Sequence, residues 1–153
     1  MDNPSRQRFN AIAAEWDRNP ARAELAKAVV DAILRQVPVN PEMDALDYGC
    51  GTGLMMLTLR QHVRSVVGAD VSEGMLSVLS QKIASGGLEN VRTVLLDLQS
   101  DPPLPERFHL IASNMTMHHV ADVGLVLGKL RQMLHPGGWM AVADLEEEDG
   151  AFH

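Results

Sequence analysis

The feature that most limits what this chain can become is an alternation. From residue 44 onward, apolar runs of strand length at 44–48, 65–70, 91–97, 108–113 and 139–144 are separated by longer stretches with helical spacing. That pattern predicts β-α-β units and a parallel sheet, because parallel neighbours need a crossover connection. Four of the five runs carry a carboxylate at their close: Asp47, Asp70, Asp97 and Asp144. A strand covered on both faces excludes bare charge, so these groups belong at the carboxyl edge, where open α/β sheets bind ligands as the strand order reverses. The plain alternative is that aspartate begins loops and caps helices.

The helices are legible from their starts and stops. After Ser72, residues Met75, Leu76, Leu79 and Ile83 repeat at helical spacing until Gly86-Gly87; after Asp122, Val126, Leu127, Leu130 and Leu134 do so until Pro136-Gly137-Gly138. Two helices open the chain, one over 5–15 and one after Asn19-Pro20, a side-chain cap followed by proline at the first helical position. In the second, Leu25, Val29, Ala32, Ile33 and Val37 are expected to pack on the body. Pro102-Pro103-Leu104-Pro105 reads as a loop. The expected architecture is a single α/β domain with a doubly wound, mainly parallel sheet of about five strands and two N-terminal helices. Residues 1–40 form a helical cap and 43–145 the ligand-binding core.

Composition narrows the function. A chain of 153 residues with 46% apolar content suits one domain with a real core. Lys plus Arg number 13 against 20 Asp plus Glu, with no basic run, so a nucleic-acid backbone meets net repulsion and is not the partner expected. No apolar run reaches membrane-spanning length, and the first residues lack the regions of a signal peptide, which predicts a soluble, cytoplasmic protein. Cys50 is the only cysteine, which excludes an internal disulfide and a thiolate zinc cluster.

The most informative segment is Leu46-Asp47-Tyr48-Gly49-Cys50-Gly51-Thr52-Gly53, a buried strand, an acid, then three alternate glycines opening a helix. Glycine there permits positive φ and lets a ligand touch the backbone. A dinucleotide site has the spacing G-x-G-x-x-G with pyrophosphate at the helix N-terminus. Here the third glycine position falls on Leu54, and Asp47 precedes the first glycine by two. A carboxylate so placed repels pyrophosphate and attracts an ammonium or sulfonium.

The segment Asp47-x-Gly49-x-Gly51-x-Gly53 resembles the signature loop of class I S-adenosylmethionine-dependent methyltransferases, and further segments match in order from Met43 to Asp144. Val66-Val67-Gly68-Ala69-Asp70 resembles their second strand, whose terminal acid holds the ribose hydroxyls. Asp97-Leu98 resembles the segment bonded to the adenine amino group. Residues 108–115 resemble the fourth strand and its exit, and Leu134-His135-Pro136-Gly137-Gly138 the approach to the fifth. The likeness is closest to small bacterial enzymes acting on quinone-pathway and other small molecules. It implies a Rossmann-like fold with S-adenosyl-L-methionine bound by Asp47, Gly49, Gly51, Gly53, Asp70, Val71, Met75, Asp97, Leu98, Asn114 and Met115. Val71 and Met75 would flank the adenine, and the Asn114 backbone would meet the methionine end. One departure is His109, where many relatives carry an aspartate.

His118 and His119 follow the fourth strand and are candidate catalytic residues, as a general base would suit that place; structural packing is the alternative. No metal site is expected, because adjacent histidines on a helix point apart. By the resemblance, the segment 9–17 lies over the cofactor and Trp16 covers its methionine end; the alternative is that Phe9, Ile12, Ala13 and Trp16 are one apolar helix face. Cys50 is expected to be inert packing, and Met115 and Met117 could shape an apolar acceptor site or fill gaps.

The reaction implied is in-line transfer of a methyl group to a small-molecule acceptor, leaving S-adenosyl-L-homocysteine, with positioning the main catalytic contribution. A nicotinamide-dependent oxidoreductase and a non-catalytic cofactor-binding module are the competing expectations. The resemblance implies two more strands past the fifth, and these are expected to be missing here, since Asp144-Leu145 is followed only by an acidic segment to His153. A truncated form is therefore expected, self-associating through the exposed fifth strand.

Overall fold

The computed structural model describes residues 3–146. Five strands, β1 (Asp44–Tyr48), β2 (Ser65–Asp70), β3 (Val91–Leu95), β4 (Phe108–Asn114) and β5 (Leu134–Ala143), form one sheet in the order β3-β2-β1-β4-β5. Every pairing is parallel. The order reverses between β1 and β4, so the crevice of a doubly wound sheet opens at their carboxyl ends. The Rossmann-like, parallel five-stranded fold expected from the sequence is the fold observed.

The helices are α1 (Pro4–Ile12), α2 (Pro20–Gln36), α3 (Met56–Leu59), α4 (Glu73–Gly86) and α5 (Val123–Gln132). Their ends follow local chemistry. Asn19 accepts from the Ala21 N–H ahead of α2, Ser72 from Met75 ahead of α4, and Asp122 from Leu125 ahead of α5. One face of the sheet buries Leu59, Leu79, Leu110 and Val66 against α2, α3 and α4; the other buries Leu46, Ile111, Val126 and Leu130 against α5. Full burial of side chains of this size contributes about 1.5–3 kcal/mol each, so the sheet is held rigidly from both sides.

Four expectations need correction. The first helix ends at Ile12, and residues Ala13–Arg18 tighten into a 3₁₀ turn, because Asn19 must lie extended to cap α2. The row that α2 buries is Ala26, Val30 and Ile33 followed by Val37, while Leu25 stays 41% exposed beside the crevice. Leu134 belongs to β5, not to α5: β5 pairs Leu134 with Phe108 and then Trp139 with Leu110, so Pro136-Gly137-Gly138 lie in a bulge where sequence suggests a helix stop. Last, β3 ends at Leu95, which leaves Asp97 in the turn that follows.

Among the described residues β5 pairs with β4 alone, with Trp139 and Val142 exposed on it. The acidic segment after Glu146, given above as part of the chain's end, lies outside the described residues.

Candidate active site

The carboxyl edge of β1 and its glycine loop form the floor of a cavity of about 630 Å³. Asp47 stands on β1 opposite Gly68 of β2 and Ala112 of β4, with its Oδ2 buried and without a hydrogen-bond partner. Burial, and the nearby Asp70, push its carboxyl up to about 8, only partly offset by the Met56 backbone N–H. An uncompensated buried carboxylate facing a cavity is a site for a cation.

The loop turns sharply at Gly49, where φ is +78° and an added Cβ would lie 2.0 Å from Thr116 Oγ1. At Gly51, with φ +55°, a Cβ would meet nothing within 4 Å, so its face is open. The loop's own donors are already used. Gly49 and Cys50 donate to the Ala69 carbonyl at 2.7 and 3.0 Å, Gly51 to Asp70 Oδ2 at 2.8 Å, and Gly53 to the Cys50 carbonyl at 2.9 Å. A phosphate would therefore find few free N–H groups here. Gly53 is not on the cavity wall; its bare Cα admits Leu79, whose Cδ1 would be 2.4 Å from a Cβ. Cys50 is buried and its thiol is pushed well up by that burial, as befits packing.

Asp70 closes the next side. Its Oδ1 accepts from the Ser72 N–H at 2.9 Å and its Oδ2 from Gly51, tying the loop to the start of α4. Burial raises its carboxyl despite these N–H groups. Val71, Met75 and Asp97 line the same side, with Asp97 held in its turn by an Asp101 Oδ2 contact to its N–H. Leu98 is apart from them: its side chain is fully buried off the cavity and its N–H donates to Tyr48 Oη at 3.2 Å. That phenol, pushed up to about 12 by burial, fixes the turn after β3.

The exit of β4 supplies the third side. Asn114 lines the cavity with its Oδ1 buried and unpartnered, and Met115 takes a left-handed φ of +54°, its N–H donating to Ala143. The turn Met117–His119 follows. His118 Nδ1 lies 2.6 Å from Asp144 Oδ1, and the His118 backbone N–H donates to Asp144 Oδ2 at 3.2 Å. The rings of His118 and His119, expected to point apart, instead lie 3.9 Å apart, centre to centre, and tilted.

The N-terminal segment roofs the cavity. Asn10 Oδ1 accepts from Ser72 Oγ at 2.6 Å and Gly74 N–H at 2.9 Å, and Asp17 meets Thr52 Oγ1 at 2.6 Å and Lys82 Nζ at 2.5 Å. Phe9 contacts both Trp16 and His119 edge to face, with ring centres 5.8 and 5.1 Å apart. The Arg22 guanidinium sits 3.6 Å above the Trp16 ring. The structure thus gathers Asp47, Gly49, Gly51, Asp70, Val71, Met75, Asp97, Asn114, Met115, Trp16, His118 and His119 around one cavity and leaves Gly53 and Leu98 off its wall.

Sequence reasoning did not find the His118–Asp144 pair, the Arg22–Trp16 stack or the Asp17 clamp. Asp144 gave a signal as the last of the strand-end carboxylates, but its partner lies 26 residues away. His109 accepts the Asp44 N–H through Nδ1 at 2.9 Å and stacks on His135 at the opposite edge, far from this chemistry.

Residues 45–138 match the methyltransferase domain family model. The chain is 33% identical over 118 residues to an uncharacterized methyltransferase of Schizosaccharomyces pombe, covering 72% of this chain and 42% of that one. It is 31% identical over 155 residues to a ubiquinone biosynthesis O-methyltransferase of Mesorhizobium japonicum, covering 91% and 61%. It therefore spans about half the length of these relatives. In fold it resembles a SAM-dependent methyltransferase from Aquifex aeolicus, with TM-score 0.76, 24% identity and 93% and 77% coverage. The DhpI-SAM-HEP complex gives 0.77, 22%, and 94% and 65%.

Proposed function

Because the chain belongs to the methyltransferase domain family, we propose that it binds S-adenosyl-L-methionine in this cavity and transfers its methyl group to a small-molecule acceptor. The observation that carries the reading is the buried, unpartnered Asp47 Oδ2, a carboxyl that a cation would ionise and pair with, at the mouth of a loop most of whose N–H groups are spent. The cofactor carries an ammonium and a sulfonium, and its size suits a cavity of this volume. A nicotinamide dinucleotide would bring pyrophosphate to the same place and be repelled.

Asp47 meets the cationic methionine end, with the open face at Gly51, the Gly49 backbone and the Asn114 backbone beside it. Asp70 accepts from the ribose hydroxyls, Val71 and Met75 flank the adenine, and Asp97 takes the adenine amino group. Leu98 fixes the turn that carries Asp97 through its N–H to Tyr48 Oη, and Gly53 acts through the packing of α4. Met115 and Trp16 enclose the methionine end. When bound, S-adenosyl-L-methionine supplies a methyl group on a sulfonium sulfur and leaves as S-adenosyl-L-homocysteine. His118 and His119, next to the roof, stand where an acceptor would lose a proton. Holding the reactants in line contributes about 7–11 kcal/mol in favourable cases, so positioning is the main term.

Several relatives are named for quinone biosynthesis, which supports an acceptor of that kind. The net charge of −7 argues against nucleic acid. No helix among the described residues is long and apolar enough to cross a membrane. The outer edge of β5, unpaired among the described residues, supports pairing with a second copy, which light scattering would report as a dimer. Transfer of tritium from labelled cofactor into a metabolite extract tests the reading; cofactor binding without any labelled product would leave a binding module.

A further inference from the structure

Resting on the reading above that the cavity binds S-adenosyl-L-methionine, with Asp97 on the adenine amino group, we propose that Gln99 reads the adenine as well, its side-chain amide donating to the ring nitrogen beside that amino group. Both residues belong to the turn after β3 and both line the cavity. The Gln99 N–H donates to Asp97 Oδ1 at 3.0 Å. That bond fixes the carboxylate and leaves its Oδ2 without a bond among the described residues.

The orientation of the Gln99 amide follows from its surroundings. Its Oε1 accepts from the Ala121 N–H at 2.9 Å, in the segment that leads into α5. A backbone N–H pairs with the oxygen of an amide and not with its nitrogen, so the oxygen is held there and the Nε2 N–H groups are left to donate elsewhere. Among the described residues they have no acceptor. A free carboxylate oxygen and a free amide nitrogen, an acceptor and a donor two residues apart, therefore stand together on one wall.

The backbone of the turn has no donor left for a base. The Asp97 N–H donates to Asp101 Oδ2 and the Leu98 N–H to Tyr48 Oη, while those of Gln99, Ser100 and Asp101 all donate back to Asp97. Lys129 on α5 braces the same turn, its Nζ donating to the Leu98 and Asp101 carbonyls at 2.7 Å each. The turn is thus rigid, and of its side chains Gln99 is the one that lines the cavity with a donor free. Adenine presents its amino donor beside a ring-nitrogen acceptor, N1 on one edge and N7 on the other. Asp97 Oδ2 meets the first group and Gln99 Nε2 the second, so the pair recognises the base and not merely its flat face.

S-adenosyl-L-homocysteine and its 1-deaza and 7-deaza analogues, in which a C–H replaces N1 or N7, serve as probes in calorimetric titrations of the whole chain. The parent is expected to bind one of the two analogues about tenfold more weakly than S-adenosyl-L-homocysteine, and the analogue affected identifies the nitrogen. This comparison needs no variant to fold. Gln99→Ala is expected to bind S-adenosyl-L-homocysteine about tenfold more weakly than the parent and to lose the distinction between it and that analogue, because the donor is gone. Gln99→Glu keeps an oxygen for the Ala121 N–H and should match the parent's melting temperature, yet bind S-adenosyl-L-homocysteine at least as weakly as Gln99→Ala. A parent that binds both analogues as tightly as S-adenosyl-L-homocysteine, a distinction that survives in Gln99→Ala, or equal weakening of all three ligands by that variant would each overturn the proposal alone. A parent that binds none of the three would overturn the cofactor reading beneath it.

Discussion

Asp47 and Asp70 stand at the carboxyl ends of adjacent parallel strands, and the charge of Asp70 helps hold a proton on Asp47. The two differ in what they touch. Asp70 has both oxygens engaged by backbone N–H groups, while Asp47 keeps one oxygen buried and unpartnered. The first is a strut that also offers lone pairs; the second is an open demand for positive charge.

Proton linkage follows from that difference. The Asp47 carboxyl titrates near 8 in the folded protein against an ordinary value of 3.8, so the stability from its protonated form is full below 3.8 and is lost as pH rises through about 8. The melting temperature of the ligand-free protein is expected to fall over that window, and to fall less in Asp47→Asn. A cation that pairs with ionised Asp47 must displace the proton. Calorimetry at pH 7 in buffers of different ionisation enthalpy is expected to show release of roughly one proton per cofactor bound, and no release in the variant.

Asp70→Ala is expected to weaken cofactor binding more than about tenfold, because charge-assisted hydrogen bonds to the ribose are lost along with the tie to Gly51. The fold should persist, as the sheet core does not depend on this side chain. Unchanged affinity by calorimetry would remove Asp70 from the site.

The two loop glycines are expected to fail in different ways. Gly49→Ala drives a Cβ into Thr116 and strains a positive φ, so it should lower stability by about 1–3 kcal/mol, read as a drop in denaturation midpoint. Gly51→Val puts its Cβ where no protein atom lies within 4 Å but strains a φ of +55°, so it should also cost about 1–3 kcal/mol of stability, yet with no clash at Cβ the chain should stay folded while the branched side chain fills the cradle and abolishes binding. Retained binding in Gly51→Val would make the loop a turn and nothing more.

The strand pattern, the helix caps and the floor of the cavity were legible because they rest on local chemistry: alternation of apolar runs, Ser72 and Asp122 before helices, and an acid before alternate glycines. The bulge in β5 was not, since Pro136-Gly137-Gly138 end a helix in most settings and only pairing of Leu134 with Phe108 makes them part of a strand. The stripe of α2 was displaced for a related reason: Leu25 and Ala26 both fit the period, and the position of the sheet decides which turns inward. The Asp144–His118 and Asp17–Lys82 contacts bring together residues 26 and 65 positions apart, which spacing along a sequence cannot reveal.

The roof is expected to report on binding through Asp17. Asp17→Ala removes a partner of both Thr52 and Lys82 and the tie from the N-terminal segment to them, so limited proteolysis should cut that segment sooner than in the parent. Added cofactor should restore part of the protection if Trp16 closes over it. No protection in either protein would detach the roof from the site.

Calorimetric titration of S-adenosyl-L-methionine, run beside a nicotinamide dinucleotide and repeated in Asp47→Leu, tests the central claim most directly. Saturable one-to-one binding of S-adenosyl-L-methionine alone, lost in the variant, is the predicted result; no binding, equal binding of the dinucleotide, or undiminished binding in Asp47→Leu would contradict it.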